Sequence, residues 1–194
     1  MDEGKKTLRL TQAAMIAALA YVGFQFLRID IPVGTEKTAF HLGNTFVVLG
    51  ALLLGGGWGG AAGALGLTLA DLTSGYVTSA PKTFLLKLLI GLIAGFVSRK
   101  MHIEQEGDPK KQARIALVSG AAALAFNVVA DPLVGYVYKK YLFGIPQDMA
   151  AALAKISSLT TLVNAAASTL CVFVIWAALY PALHRAGLLL WQKK

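Results

Sequence analysis

Two apolar runs, residues 46–54 and 61–70, flank a glycine-rich stretch at residues 55–60. The second run leads straight into a polar cluster: Asp71, Thr73, Ser74, Tyr76, Thr78, Ser79, Lys82 and Thr83. A carboxylate at the end of such a run is too costly to leave against hydrocarbon, so it must face protein, water or a ligand. The runs show no period-two alternation and read as helices, not as barrel strands. Other apolar segments precede and follow. The stretch from His41 to Lys87 reads as the unit around which they assemble.

Composition makes the solvent explicit. Hydrophobic residues are 56% of the chain and charged residues 14%, against about 25% charged in a soluble domain. The expected class is an all-α integral membrane protein held in the lipid bilayer, one domain over residues 1–194. Net charge is +8, but the basic residues are not interleaved with aromatics on one polar face. They read as topology determinants and not as a nucleic-acid surface. Cys171 is single and lies in an apolar run, which argues against a disulfide framework or a thiolate metal site. The first apolar segment lacks the small-residue cleavage site of a signal peptide.

Helices are expected at about 10–27, 43–55, 60–74, 83–99, 114–138 and 155–183. The second and third are short for a full crossing and would need a vertical orientation or a thinned bilayer. Residues 55–60 read as a tight turn with Trp58 at the interface, and residues 28–40, with Pro32 and Gly34, as a long loop. Residues 98–114 and 138–155 read as surface loops. Six crossings put both termini on one side. Lys5, Lys6, Arg9, Arg99, Lys100, Lys110, Lys111, Arg114, Arg185, Lys193 and Lys194 fall on that side, most of the chain's basic residues. The bias makes it cytoplasmic. The loops at 28–40, 75–83 and 138–155 are then external, and the intramembrane polar groups lie toward that outer half.

Asp71 and Lys82 flank the loop between the third and fourth segments, and Lys87 lies about a turn further in. Asn127 and Asp131 are four apart and share a helix face. Asn164 lies within the sixth segment. Gathered around one cavity with Tyr76, Phe126, Tyr136 and Tyr138, these groups would suit a small, polar, ring-shaped ligand. Each also has a plainer reading. Asp71 can finish a helix or pair with Lys82 or Lys87. Asn127 and Asn164 can bond across helices, each for about 1 kcal/mol. Asp131 before Pro132 can mark a kink. His41 and Asn44 can simply begin the second helix, and Tyr136, Tyr138 and Tyr141 can form an aromatic belt. Ala13, Ala14, Ala17 and Ala18 make a small-residue face that lets a helix of this chain, or of another, approach closely.

Catalysis finds little support. His41, His102 and His184 are scattered, and no HExxH, CxxC, GxSxG or phosphate-loop pattern occurs. The chain is not expected to be an enzyme, to hold a metal or to hydrolyse ATP.

The run His41-Leu-Gly-Asn44, then Leu52-Leu-Leu-Gly55, Gly60-Ala-Ala-Gly63, Gly66, Asp71-Leu72, Gly75-Tyr76, Ala80-Pro81 and Lys87 resembles the S component of an energy-coupling factor (ECF) vitamin transporter. The S component is the substrate-binding membrane subunit of that machine. The resemblance is close over the second to fourth helices, and the six-helix plan, small size and inside termini are similar over the whole chain. It implies a six-transmembrane-helix bundle of the S-component type, multi-pass in a prokaryotic plasma membrane. Such a protein captures a vitamin-like small molecule from outside, with the loop at 28–40 as a lid, and topples in the membrane to deliver it. A transmembrane coupling subunit would dock on Ala13, Ala14, Ala17 and Ala18. Two cytosolic ATPases would use the ATP, and this chain would bind no cofactor itself. Carried onto this sequence, the resemblance nominates Lys82, Asn127, Asp131 and Asn164 for the ligand, supported by Tyr76 and Thr78; Asp71, Asn44 and His41 complete the set.

The branch it resembles most takes riboflavin, pyridoxine and hydroxymethylpyrimidine-type solutes. Few aromatics and many hydrogen-bonding groups lean toward a B6 vitamer or hydroxymethylpyrimidine. Pantothenate, riboflavin and a queuosine precursor stay open. Asp131 would suit a ring nitrogen or hydroxyl donor, and Lys82 or Lys87 an acidic or phenolate group. The alternative class is a stand-alone secondary transporter or channel. It would be expected to show inverted repeats, but residues 55–60 have no counterpart in the second half.

Overall fold

Glycine 55 turns the chain alone. In a computed structural model, which describes residues 3–33 and 36–191, Gly55 has φ +83° and the next helix begins at Gly56. The turn expected over residues 55–60 is therefore one residue long, and the remaining glycines are helical. Six α-helices occur among the described residues: α1 Glu3–Gln25, α2 Gly43–Leu54, α3 Gly56–Thr73, α4 Ala80–Lys100, α5 Pro109–Val137 and α6 Gln147–Arg185. A 3-10 turn, Val77–Ser79, leads into α4, and a π-helical turn, Tyr138–Leu142, follows α5.

Those helical glycines bring α3 against three neighbours at backbone distance. A methyl group placed on Gly59 would sit 2.0 Å from the Gly50 carbonyl oxygen of α2. On Gly66 it would sit 2.1 Å from the Ala17 carbonyl oxygen of α1, and on Gly91 2.2 Å from the Gly60 Cα. Lipid supplies no hydrophobic drive between helices, so such close packing is what joins them. The alanine face of α1 is split. Ala13 packs beside Ile16, Leu54 and Ala62, and Ala17 lies under Gly66, whereas Ala14 and Ala18 are exposed.

Helix ends depart from the expected bounds for local reasons. α5 starts at Pro109, not 114, because the Asp108 carboxylate accepts from the Lys110 N–H (2.8 Å) and Pro109 suits the first turn. Pro132 lies inside the same helix. The expected loop at 28–40 is corrected: β1 Ile29–Val33 pairs antiparallel with β2 Glu36–Phe40, Ile29 opposite Phe40 and Ile31 opposite Thr38. The class is thus mostly helical, with one hairpin among the described residues. Gly34, Lys193 and Lys194 lie outside the described residues.

Helices α1, α5 and α6, and α4 with its leading turn, are long and apolar enough to cross a membrane. α2, at 12 residues, rises only about 18 Å. One end of the bundle is closed by buried polar contacts. Gln112 Nε2 donates to the carbonyls of Ile103 (2.7 Å) and Glu106 (2.8 Å), and its Oε1 accepts from Trp176 Nε1 (3.1 Å). Gln12 Nε2 donates to the Leu188 carbonyl (2.8 Å), so the two terminal segments meet at this end.

Gly59→Ala should lower the unfolding midpoint in detergent by the equivalent of about 1–3 kcal/mol through overpacking. Gly57→Ala, with nothing within 4 Å of the added carbon, should leave it unchanged or raise it by up to about 1 kcal/mol. Equal midpoints for the two variants would contradict the close approach of α2 and α3.

Candidate substrate-binding site

At the other end of the bundle, all six helices and the hairpin contribute to a cavity of about 890 Å³, its open mouth included. Its centre is Asp131. One carboxylate oxygen accepts from Lys82 Nζ of α4 (3.0 Å), and the other from Ser157 Oγ (2.8 Å) and Thr161 Oγ1 (3.3 Å) of α6. Asp71, at the end of α3, accepts from Thr83 Oγ1 (2.5 Å). It pairs with neither Lys82 nor Lys87. Its backbone carbonyl accepts from the Tyr76 N–H (3.0 Å), closing the helix end.

The hairpin is fastened over this cavity from two sides. Asn164 Oδ1 accepts from the His41 N–H (3.0 Å) and its Nδ2 donates to the Ala39 carbonyl (3.0 Å). Thr38 and Thr160 hydroxyls meet at 3.1 Å. On the opposite side Asp30 takes the Tyr76 hydroxyl (2.8 Å), Arg28 Nε (2.8 Å) and Lys37 Nζ (3.3 Å). Lys37 Nζ also donates to the Ser74 carbonyl (2.8 Å) and lies 4.4 Å from the Tyr76 ring centre. Partial burial works to raise the Asp30 carboxyl, but the Tyr76 and Lys37 hydrogen bonds and the Arg28 charge outweigh it and hold it below the usual carboxylate range.

His41 stands at the inner end of the hairpin, its ring 4.7 Å from that of Phe24. Burial pushes its imidazole down to about 3, and the Lys87 charge works in the same direction. Nδ1 accepts from the Gly43 N–H (3.2 Å), so the neutral ring carries its proton on Nε2.

Of the expected ligand residues, His41, Asn44, Asp71, Tyr76, Lys82, Asn127, Asp131 and Asn164 all line this one cavity. Thr78 does not; it is exposed on the 3-10 turn. Phe126 faces outward, and neither Tyr136 nor Tyr138 is among the lining residues: Tyr138 packs its ring on Phe143. Sequence reasoning placed Thr83 in the polar cluster without assigning it to the ligand, and missed Phe24, Lys37, Thr38, Ser157, Thr160 and Thr161 in the wall. Ser157, Thr161, Asn164 and Ser168 recur every three to four residues, a polar stripe that was readable. Lys37 and Thr38 reach the cavity only through strand pairing and carried no such signal.

The family model of ECF-type riboflavin transporter S components matches residues 4–181. The chain belongs to this family. Among solved structures it is similar to the S component for biotin from an ECF-type ABC transporter, a crystal structure at 2.1 Å. The identity is 21% and the TM-score 0.63, over 93% of this chain and 95% of that one. At that identity the likeness establishes the fold. The curated proteins yield no match. As an ECF S component, the chain is a membrane transport protein of vitamin uptake, of a family that binds a transport substrate and does not transform it.

Removing the Asp131 carboxylate strands a lysine whose side chain is 11% exposed. Asp131→Ala should therefore cost about 3 kcal/mol, the low end of the range for breaking a buried pair, because the cavity opens to water. Asp131→Ala with Lys82→Met should recover part of that loss in the same unfolding assay. Single and double variants of equal stability would show that the two side chains are not coupled.

Proposed function

We propose that this S component captures a small hydroxylated heterocycle, a B6 vitamer or hydroxymethylpyrimidine, from outside the cell for an ATP-driven ECF importer. The observation that carries this is the make-up of the cavity wall. Carboxylates, amides, hydroxyls and ammonium groups supply most of it, and the rings of Phe24, His41 and Tyr76 cluster within it, Phe24 lying 4.7 Å from His41 and 5.7 Å from Tyr76. A single flat ring with polar substituents suits such a wall, its face on the aromatics and its edge on the polar groups.

The remainder of the machine follows from this reading. The six helices are six crossings of a plasma membrane, with both termini cytoplasmic and the basic ends of the helices away from the cavity. Residues 1–194 act as one domain. The hairpin is the lid. The exposed Ala14 and Ala18 of α1 face a transmembrane coupling subunit, with Ala13 and Ala17 behind them. Two cytosolic ATPases use the ATP, and this chain binds no cofactor. Asn164 serves the ligand through the lid it holds, whereas Asn127, Asp131, Lys82, Asp71, Asn44, His41 and Tyr76 are placed to meet it directly.

The description of the matching family favours a second reading, riboflavin. A three-ring system needs a broad apolar slot, and the charged and amide groups around Asp131 leave little of the wall for one. Isothermal titration of the detergent-solubilised chain with pyridoxine, hydroxymethylpyrimidine and riboflavin separates these readings. One of the single-ring compounds should bind at least ~100-fold more tightly than riboflavin, about 2.7 kcal/mol, and Asn127→Ala should weaken it at least ~10-fold. The reverse order assigns riboflavin, and binding of none of the three contradicts capture of this class.

A further inference from the structure

The charges around the cavity are answered from within the chain, with one exception. Asp131 has Lys82 and two hydroxyls, Asp71 has Thr83, and Asp30 has Arg28 and Lys37. Lys87 lines the same cavity and is only 7% exposed. Among the described residues no carboxylate oxygen comes within 4 Å of its ammonium and no hydrogen bond reaches it. The nearby charges that face it are Asp131 and Asp71, which attract it, and Lys82, which repels it. Its Nζ is not fully buried and so opens onto the cavity, where a ligand can bring the missing acceptor.

We propose that Lys87 is a specificity-determining residue that selects a ring bearing an anionic or strongly accepting oxygen. This rests on the capture reading above and sharpens it. Within the single-ring class, a 3-hydroxypyridine carrying hydroxymethyl groups has such an oxygen. An aminopyrimidine with one hydroxymethyl group has no acidic oxygen.

The test compares pyridoxine with 3-deoxypyridoxine, which lacks only the ring oxygen, on the wild-type chain, Lys87→Met and Lys87→Gln, by isothermal titration. The wild type should prefer pyridoxine by at least ~30-fold, about 2 kcal/mol. Lys87→Met should bring pyridoxine down to the analogue's affinity while the analogue itself changes by less than ~3-fold. If the methionine variant does not purify folded, Lys87→Gln, which keeps a donor without the charge, answers the same question. Equal wild-type binding of the two pyridines, or an undiminished preference in either variant, overturns the proposal and leaves capture standing. Wild-type binding of riboflavin or hydroxymethylpyrimidine but of neither pyridine does the same. Binding of none of these compounds overturns the capture reading, and this proposal with it.

Discussion

A carboxylate placed among membrane helices has to be met by donors, and Asp131 is met from two helices besides its own. Lys82 reaches it from α4, and Ser157 and Thr161 reach it from α6. These contacts draw three helix ends together at the mouth of the bundle, where apolar packing alone has little preference between helix and lipid. The cavity is the space left between them. The opposite end is closed by the Gln112 network and is filled by Trp176 and Tyr180. The bundle is thus sealed at one end and polar and open at the other.

The glycine seam and the hairpin complete that asymmetry. Backbone contact joins α3 to α1, α2 and α4, and α5 and α6 complete the polar wall begun by Asp71, Lys82, Thr83 and Lys87. The hairpin then covers the cavity. It is held to α6 by Asn164 and to the α3–α4 loop through Asp30, Tyr76 and Lys37. The Asn164–Ala39 bond is buried and the other three are partly buried, so lifting the hairpin would give up these hydrogen bonds. Inside, Lys87 is the one charge in the wall with no acceptor among the described residues.

Much of the site could be read from the sequence because helical periodicity fixes which polar residues share a face. Asn127 and Asp131, four apart, do line one cavity, and Asp71 and Lys82 reach it from the two sides of a short loop. Pairing was not readable. Spacing alone allowed Asp71 to take Lys82 or Lys87, whereas tertiary geometry gives Lys82 to Asp131 and Thr83 to Asp71. The glycines at 56–60 read as a turn because each costs a helix about 1 kcal/mol relative to alanine, yet they are helical, and at Gly56, Gly59 and Gly60 only glycine permits the approach of α2 and α4. The strands of the hairpin escaped notice because five residues with Pro32 among them and Gly34 next to them carry too short an alternation to stand out. Asn164 was expected at the ligand, and both ends of its amide are spent on the backbone at His41 and Ala39. Thr78 shares a loop with Tyr76, but the 3-10 turn points it to solvent.

Native mass spectrometry of the chain, produced in rich medium and released gently from detergent, tests capture most directly. A stoichiometric adduct with the mass of a small vitamin-type heterocycle is the predicted result, and it names the ligand in the same spectrum. A chain that emerges empty, and whose mass stays unchanged after incubation with B vitamins, would contradict it.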